Sequence, residues 1–327
     1  DNEKQSQFPD GAKPSTEFTL GNNADEQYAK DAIKMDVKTW GDGKTEQEFN
    51  SIELFADGHF LITTPKAKKA QQQTVGVTRQ ADGSTAIFKK HGTERMKTRA
   101  VDAEGTIIID DGLYIYGTYT RVKDGVYQLS NQTTIRIKDN GITGYATITY
   151  TNSFGVDITI VVDIDFQYKP DPAIRQLCRS WRMDSSETWL YANGIYFAYG
   201  KQWLNLGRVY QEVTLSPEGK QWDFDEDDIL DDKDDYCYRT IFSPCGTFVC
   251  FYMDGDVEIG RWEWKDTNYG ILRCWEPFEI GDYDDDDYAD VTVRFDGKKM
   301  RIYQDYMDDE DDFQFRVLNV SEFSARY

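Results

Sequence analysis

Apolar and polar side chains alternate strictly over Asp157–Tyr168, so that Ile158, Ile160, Val162, Ile164, Phe166 and Tyr168 share one face. Asp157, Thr159, Asp163, Asp165 and Gln167 share the other. Period two sustained over such a length predicts a long antiparallel strand with one face buried. Asn193-Gly194, between Trp189-Leu190-Tyr191 and Ile195-Tyr196-Phe197, predicts a hairpin, as does Asp296-Gly297 between Val291–Phe295 and Met300–Tyr303. These dipeptides suit type I′ turns, whose two central residues both need φ > 0. Helical period is scarce, and only Ala24–Lys34 and Ala173–Cys178 predict short helices. Lys169-Pro170-Asp171-Pro172 suits neither a strand nor a helix, because each proline lacks a donor and restricts the residue before it. A domain boundary is expected there.

A second pattern divides the chain in the same place. Leu54-Phe55-Ala56-Asp57-Gly58-His59-Phe60 is matched by Phe242-Ser243-Pro244-Cys245-Gly246-Thr247-Phe248. Each is followed by a glycine-x-aromatic segment, Gly117-Thr118-Tyr119 in one case and Gly260-Arg261-Trp262 in the other. Repetition of this kind predicts two related domains. The 327 residues are enough for each to bury its own core. The expected organisation is a flexible polar tether over 1–24, one β domain over 25–169 and a second over 173–327. Many short strands with frequent turns suggest a sandwich or a closed meander barrel.

The second half carries an ordered series of motifs: Leu177-Cys178-Arg179-Ser180-Trp181, an acidic stretch ending Asp232-Lys233-Asp234-Asp235, Thr240-Ile241-Phe242, Gly246-Thr247-Phe248, Gly260-Arg261-Trp262 and Val291–Ile302. In this it resembles the lipocalin-like domains of secreted Bacteroidetes lipoproteins. The first half matches more thinly: Trp40 stands for the opening tryptophan, Tyr119 replaces a tryptophan, and about 45 extra residues separate Gly58 from Gly117. The resemblance implies an all-β protein of two tandem antiparallel barrels with few short helices, on an exported, lipidated cell-envelope chain. It implies no reaction.

The formal charge of −22 is unevenly shared, with 20 Lys+Arg against 25 Asp+Glu up to residue 172 and 17 against 34 beyond it. So acidic a chain does not suit nucleic acid or an anionic membrane surface. No stretch approaches the ~20 apolar residues of a membrane helix. Membrane attachment is expected only through a lost N-terminal lipid anchor. The polar opening from Asp1 reads as a mature terminus and a tether, or as a chain trimmed of something else. All five cysteines (Cys178, Cys237, Cys245, Cys250, Cys274) lie in the second half, and the odd number leaves at least one outside any intramolecular disulfide.

Candidate chemistry is sparse. The two histidines, His59 and His91, sit in polar surroundings and read as solvated surface residues rather than parts of a metal or nucleophile site. No phosphate loop, dinucleotide fingerprint, H-E-x-x-H or G-x-S-x-G occurs, and no catalytic residue, cofactor or metal is expected. Three acidic clusters, Asp223–Asp235, Asp282–Asp290 and Asp305–Asp312, raise a calcium hypothesis. None fits the D-x-[DN]-x-[DN]-G loop, because Asp225-x-Asp227 is followed by Ile229-Leu230 with no glycine. Solvated acidic loops are the expectation.

Aromatic residues change the picture more. Seven of the eight tryptophans follow residue 180, and Glu187–Trp203 gathers Trp189, Tyr191, Tyr196, Phe197, Tyr199 and Trp203 into one hairpin. Apolar side chains on both faces mean two covered faces, or one covered face and one open platform suited to sugar rings and peptides. Trp189, Tyr191, Tyr196, Tyr199, Trp203 and Trp222 are the candidate ligand-binding residues, while Trp262, Trp264 and Trp275 are expected in the core. Two functions stand. One is a non-enzymatic exported protein binding a glycan, peptide or small apolar ligand through its barrels. The other is a structural or protein-interaction module whose barrels are filled by side chains, as small barrels often are. A glycan-acting hydrolase ranks third, since its carboxylate pair would need a geometry that sequence does not display.

Overall fold

The computed structural model describes residues 13–18, 20, 33–37, 49–55, 58–64, 86–89, 98–101, 107–110, 114–139, 143–151, 154–166, 172–244, 246–275, 288–310 and 313–325. The fold is all-β and antiparallel. The first sheet comprises β1 (Ile33–Val37), β2 (Ser51–Leu54), β3 (His59–Thr63), β4 (Thr98–Val101), β5 (Ile107–Asp110), β6 (Tyr114–Lys123), β7 (Val126–Leu129), β8 (Thr134–Asp139), β9 (Thr143–Thr151) and β10 (Asp157–Phe166). Sequential neighbours other than β3 and β4 pair, β1 also pairs β10, and β3 pairs β6 past the β4–β5 hairpin. An eight-stranded ring results, with that hairpin hung on its side. The predicted strand at 157–168 is β10, with Ile160, Val162 and Ile164 buried and Val161 half-exposed. Residues 167 and 168 lie outside the described residues.

Helix α1 (Pro172–Leu177) leads into the second sheet: β11 (Ser180–Ala192), β12 (Ile195–Asn205), β13 (Arg208–Leu215), β14 (Cys237–Phe242), β15 (Thr247–Tyr252), β16 (Val257–Asp266), β17 (Ile271–Trp275), β18 (Tyr288–Asp296), β19 (Lys299–Glu310) and β20 (Phe313–Ala325). β11 pairs β20 along one edge, and on the other it pairs β14 at Ser180–Arg182 and β12 at Ser185–Ala192. The long strands therefore serve twice. Their ends near Trp181, Met300 and Phe323 complete a ring with β14 to β18, while their remaining lengths, with β12 and β13, form a curled extension.

The sequence repeat marks equivalent corners of the two rings. The Phe55 N–H donates to the His59 carbonyl and the Ser243 N–H to the Thr247 carbonyl, each at 2.8 Å. Gly58 (φ 90°) and Gly246 (φ 88°) turn the chain in a region that side chains avoid. Their carbonyls accept the N–H groups of Tyr119 and Trp262, again at 2.8 Å. Tyr119 does the work of the tryptophan it replaces: its hydroxyl donates to the Phe55 carbonyl at 2.6 Å, as the Trp262 indole N–H donates to Ser243 at 3.1 Å. The glycine of glycine-x-aromatic is a packing requirement. A Cβ on Gly117 would stand 2.8 Å from the Phe60 ring, and one on Gly260 would stand 2.3 Å from the Phe248 ring.

Three details differ from expectation. Ile33 and Lys34 belong to β1 rather than to a helix, and residues 24–32 lie outside the described residues. Asn193 (φ 51°) and Gly194 (φ 77°) form the predicted turn, but Asp296 pairs with Lys299, so the loop residues there are Gly297 (φ 58°) and Lys298. A glycine at the first loop position suits a type II′ turn instead. A helix that no periodicity announced, α2 (Pro217–Gln221), is set by Ser216, whose hydroxyl accepts the Gly219 N–H at 3.0 Å.

Both rings have apolar interiors. Met35, Ile52, Leu54, Phe60, Ile62, Leu129, Ile135, Ala146, Ile148, Val162 and Ile164 form the first core. Trp181, Met183, Phe242, Phe248, Trp262, Leu272, Val293, Met300, Ile302 and Phe323 lead the second. The rings touch through a further cluster in which Phe55, Leu61, Tyr114 and Tyr116 meet Ile241, Val249, Phe251, Val257 and Ile259. The buried Glu53 carboxylate accepts a hydrogen bond from the Ser243 hydroxyl across this contact. His59 is part of it and not a solvated surface residue: its ring stacks on Tyr116 at 5.4 Å and faces Phe251 at 5.9 Å. His91 lies outside the described residues.

Candidate functional site

The concave face of the second sheet is banded. Alternation along β19 and β20 sets Met300, Ile302 and Phe323 at one end, Gln304, Asn319 and Ser321 in the middle, and Tyr306, Val317 and Phe315 at the other end. β11 adds Ser186 and Thr188 to the middle band and Leu190 to the apolar band beyond. The middle side chains bond one another: Asn319 Nδ2 donates to Ser186 Oγ at 2.9 Å and Thr188 Oγ1 at 3.1 Å, and Ser321 Oγ donates to Asn319 Oδ1 at 2.9 Å.

Against this band lies Ala86-Ile87-Phe88-Lys89, contributed by the connection between β3 and β4 of the first sheet. Gln304 brackets one residue of it. The Ile87 N–H donates to Gln304 Oε1 at 2.9 Å, and Gln304 Nε2 donates to the Ile87 carbonyl at 3.3 Å. A buried backbone that belongs to no sheet needs such partners, which accounts for polar residues at inward-facing positions. Ile87 and Phe88 join the second core, with the Phe88 ring 5.1 Å from that of Phe323. The Tyr252 hydroxyl is shared between the Lys89 carbonyl at 3.1 Å and Glu258 at 2.9 Å. The Lys89 ammonium stands 5.4 Å from the centre of the Tyr306 ring and 3.8 Å from Asp308. Burial disfavours its charge, but Tyr306, Asp231 and Asp308 more than offset this and raise its pKa above the ordinary lysine value. Phe88 has φ 63°, a left-handed backbone that a bulky side chain adopts only when its surroundings impose it. Beside the segment a polar cavity of about 50 Å³ is lined by Ser186, Thr188, Gln202, Gln304 and Asn319.

The acidic stretch 223–235 closes this face and is not merely a solvated loop. Its carboxylates cap its own backbone, Asp228 accepting from the Asp225 N–H at 2.7 Å and Asp232 from the Asp234 N–H at 2.9 Å. Ile229 and Leu230 are buried against the extension, where a Cβ on Gly200 would meet Leu230 at 2.6 Å. These two residues break the calcium-loop pattern because they serve as apolar anchors. Among the described residues no group of three or more His, Cys, Asp or Glu could hold a metal ion.

Five of the six aromatic candidates share the opposite, outer face of the extension. Trp189 and Tyr191 are buried with Tyr303, Leu318 and Val320, and Tyr196 and Tyr199 pack against them. Tyr199 donates to Glu187 at 2.7 Å, and burial followed by this carboxylate raises its pKa. Trp203 stacks on the half-exposed Tyr210 at 5.9 Å. Trp222 stands on the concave side, 5.9 Å from Phe197. Of the tryptophans expected in the core, Trp262 is buried and Trp264 packs against it, but Trp275 is half-buried beneath the Arg261 guanidinium at 4.3 Å. From the polar leader, Phe18 packs against Trp264 at 6.5 Å and Phe295 at 6.3 Å, and the Ser15 carbonyl accepts from Arg294 at 2.8 Å. Cys237, Cys250 and Cys274 are buried free thiols, and Cys178 is likewise buried.

Residues 86–89 were not among the sequence candidates. Two signals pointed to them: the extra length between Gly58 and Gly117, and an Ala-Ile-Phe triplet isolated in an otherwise polar run.

No protein-family model matches the chain, and no curated protein matches it. Among solved structures, a single mutant of the vaccine antigen transferrin binding protein B from Haemophilus parasuis shares 9% identity with a TM-score of 0.20, over 86% of this chain and 62% of that one. A double mutant of the same antigen gives 8% and 0.21, over 87% and 62%. This chain thus spans less than two thirds of the antigen's length. A protein of unknown function from Nostoc punctiforme, of the DUF3598 family, gives 8% and 0.13, over 70% of this chain and 87% of that one. Likenesses at these scores carry no functional argument.

Proposed function

We propose that this chain is a non-enzymatic protein of the exported cell envelope whose two barrels are scaffolds for binding other polypeptides, not containers for a small apolar ligand. The supporting observation is the filling of both interiors by large side chains, with Phe60 and Ile62 fully buried in one ring and Met300, Ile302 and Phe323 in the other. Pockets for drug-sized ligands usually run to about 300–1,000 Å³. The cavity of about 50 Å³ beside Ile87 is far smaller. The address rests on the resemblance of the 177–302 motifs to secreted lipoproteins, and the formal charge of −22 favours neutral or basic partners. Titrating the full chain with a fatty-acid series and an apolar dye is expected to give no saturable binding. One-to-one binding at micromolar concentration would overturn the reading.

A glycan reading retains one observation, the Trp203–Tyr210 pair on the outer face. A glycan panel tests it, with loss of any binding in Trp203→Ala as its signature.

A further inference from the structure

We infer that the concave face of the second sheet is a recognition site for a polypeptide segment carrying a small–aliphatic–aromatic–lysine sequence, and that residues 86–89 are its resident, displaceable occupant. The inference deepens the scaffold reading and rests on it, since a lumen kept for small molecules would have no use for such an occupant. Three observations carry it. First, Gln304 engages the N–H and the carbonyl of a single residue, a mode that any peptide backbone can satisfy. The neighbouring features then select side chains: Phe323 for an aromatic ring, and Tyr306 with Asp308 for a lysine. Second, host and occupant come from different sheets, the tetrapeptide arriving on the 34-residue connection between Thr63 and Thr98. Part of the host band does not depend on the occupant, since Asn319, Ser186, Thr188 and Ser321 bond one another. Third, Phe88 is held at φ 63°. A ligand free of that left-handed residue binds without the strain, so the occupant is weaker than a partner can be.

A tethered occupant presents itself at an effective concentration on the order of millimolar. The test therefore empties the site first. The full chain bearing Ile87→Ser and Phe88→Ser is titrated with a synthetic peptide of residues 84–91. One-to-one binding is expected, weakened at least tenfold when the peptide carries Phe88→Ala and again when the host carries Gln304→Ala. A folded double variant that binds no peptide at millimolar concentration overturns the inference. If the double variant does not fold, hydrogen exchange of the unaltered chain decides. Faster exchange at the Ile87 amide than at the Val249 and Cys250 amides of β15, accelerated by added peptide, supports a displaceable occupant. Exchange at Ile87 only through global unfolding overturns it. Fatty acid bound in a lumen would sink the scaffold reading without altering either result, so the two fail separately.

Discussion

Gly260 lies beneath the Phe248 ring, and a Cβ there would stand 2.7 Å from the Trp275 carbonyl oxygen, so side chain and backbone both oppose a larger residue. Gly260→Ala is expected to cost about 1–3 kcal/mol by overpacking, read from chemical denaturation. An unchanged midpoint would contradict the packing role given to the repeat. The thiols give a second residue-scale test. Burial pushes the Cys274 thiol up from its ordinary 9.0, and burial followed by the neighbouring Cys237 does the same at Cys250. A pKa raised in the fold gives stability that is complete below the unfolded value near 9 and lost as pH rises toward the folded value. Both thiols are therefore expected to resist iodoacetamide at pH 8 until the chain unfolds, and peptide mapping that finds either alkylated in the native state contradicts this. Much at this scale was legible: the alternation in β10 and the Asn193-Gly194 turn follow from local stereochemistry, and Tyr119 standing for a tryptophan follows from the resemblance of the repeated motifs. The place of His59 was not, because polar neighbours in sequence say nothing of the second ring that meets it through Tyr116 and Phe251.

At the scale of elements, the curled extension explains why Glu187–Trp203 is apolar on both faces. Its inner side, Leu190, Ala192, Phe197 and Ala198, is covered by Ile229 and Leu230, while Trp189 and Tyr191 pack with Tyr303, Leu318 and Val320 on the outer side. The sequence showed two apolar faces but not which would be covered, since the cover comes from an acidic stretch that composition alone makes a loop. The aromatic candidates therefore divide. Trp189→Ala is expected to cost about 3–5 kcal/mol, as for a buried aromatic. Trp203→Ala, whose indole stacks on half-exposed Tyr210, is expected to cost under about 1.5 kcal/mol by the stacking increment and partial burial. Thermal melts of the two variants decide, and equal losses would put Trp203 in the core.

For the molecule as a whole, the expectation of two barrels in tandem captures the topology but misses how they are joined. The rings share the cluster around Phe55, Tyr116, Val249 and Phe251, the Glu53–Ser243 hydrogen bond, and above all Ile87 and Phe88, which the first half supplies to the core of the second. Contacts so distant in sequence leave no periodic trace, so only the extra length after β3 and the isolated Ala86-Ile87-Phe88 triplet announced them. Phe88→Ala removes an aromatic side chain from a core that spans both halves, and about 3–5 kcal/mol is expected to be lost. Calorimetric unfolding of the intact chain tests this account most directly. One transition is predicted, its calorimetric and van't Hoff enthalpies equal, and Phe88→Ala should lower the whole of it. Two separate transitions, with the one belonging to residues 172–325 untouched by Phe88→Ala, would contradict it.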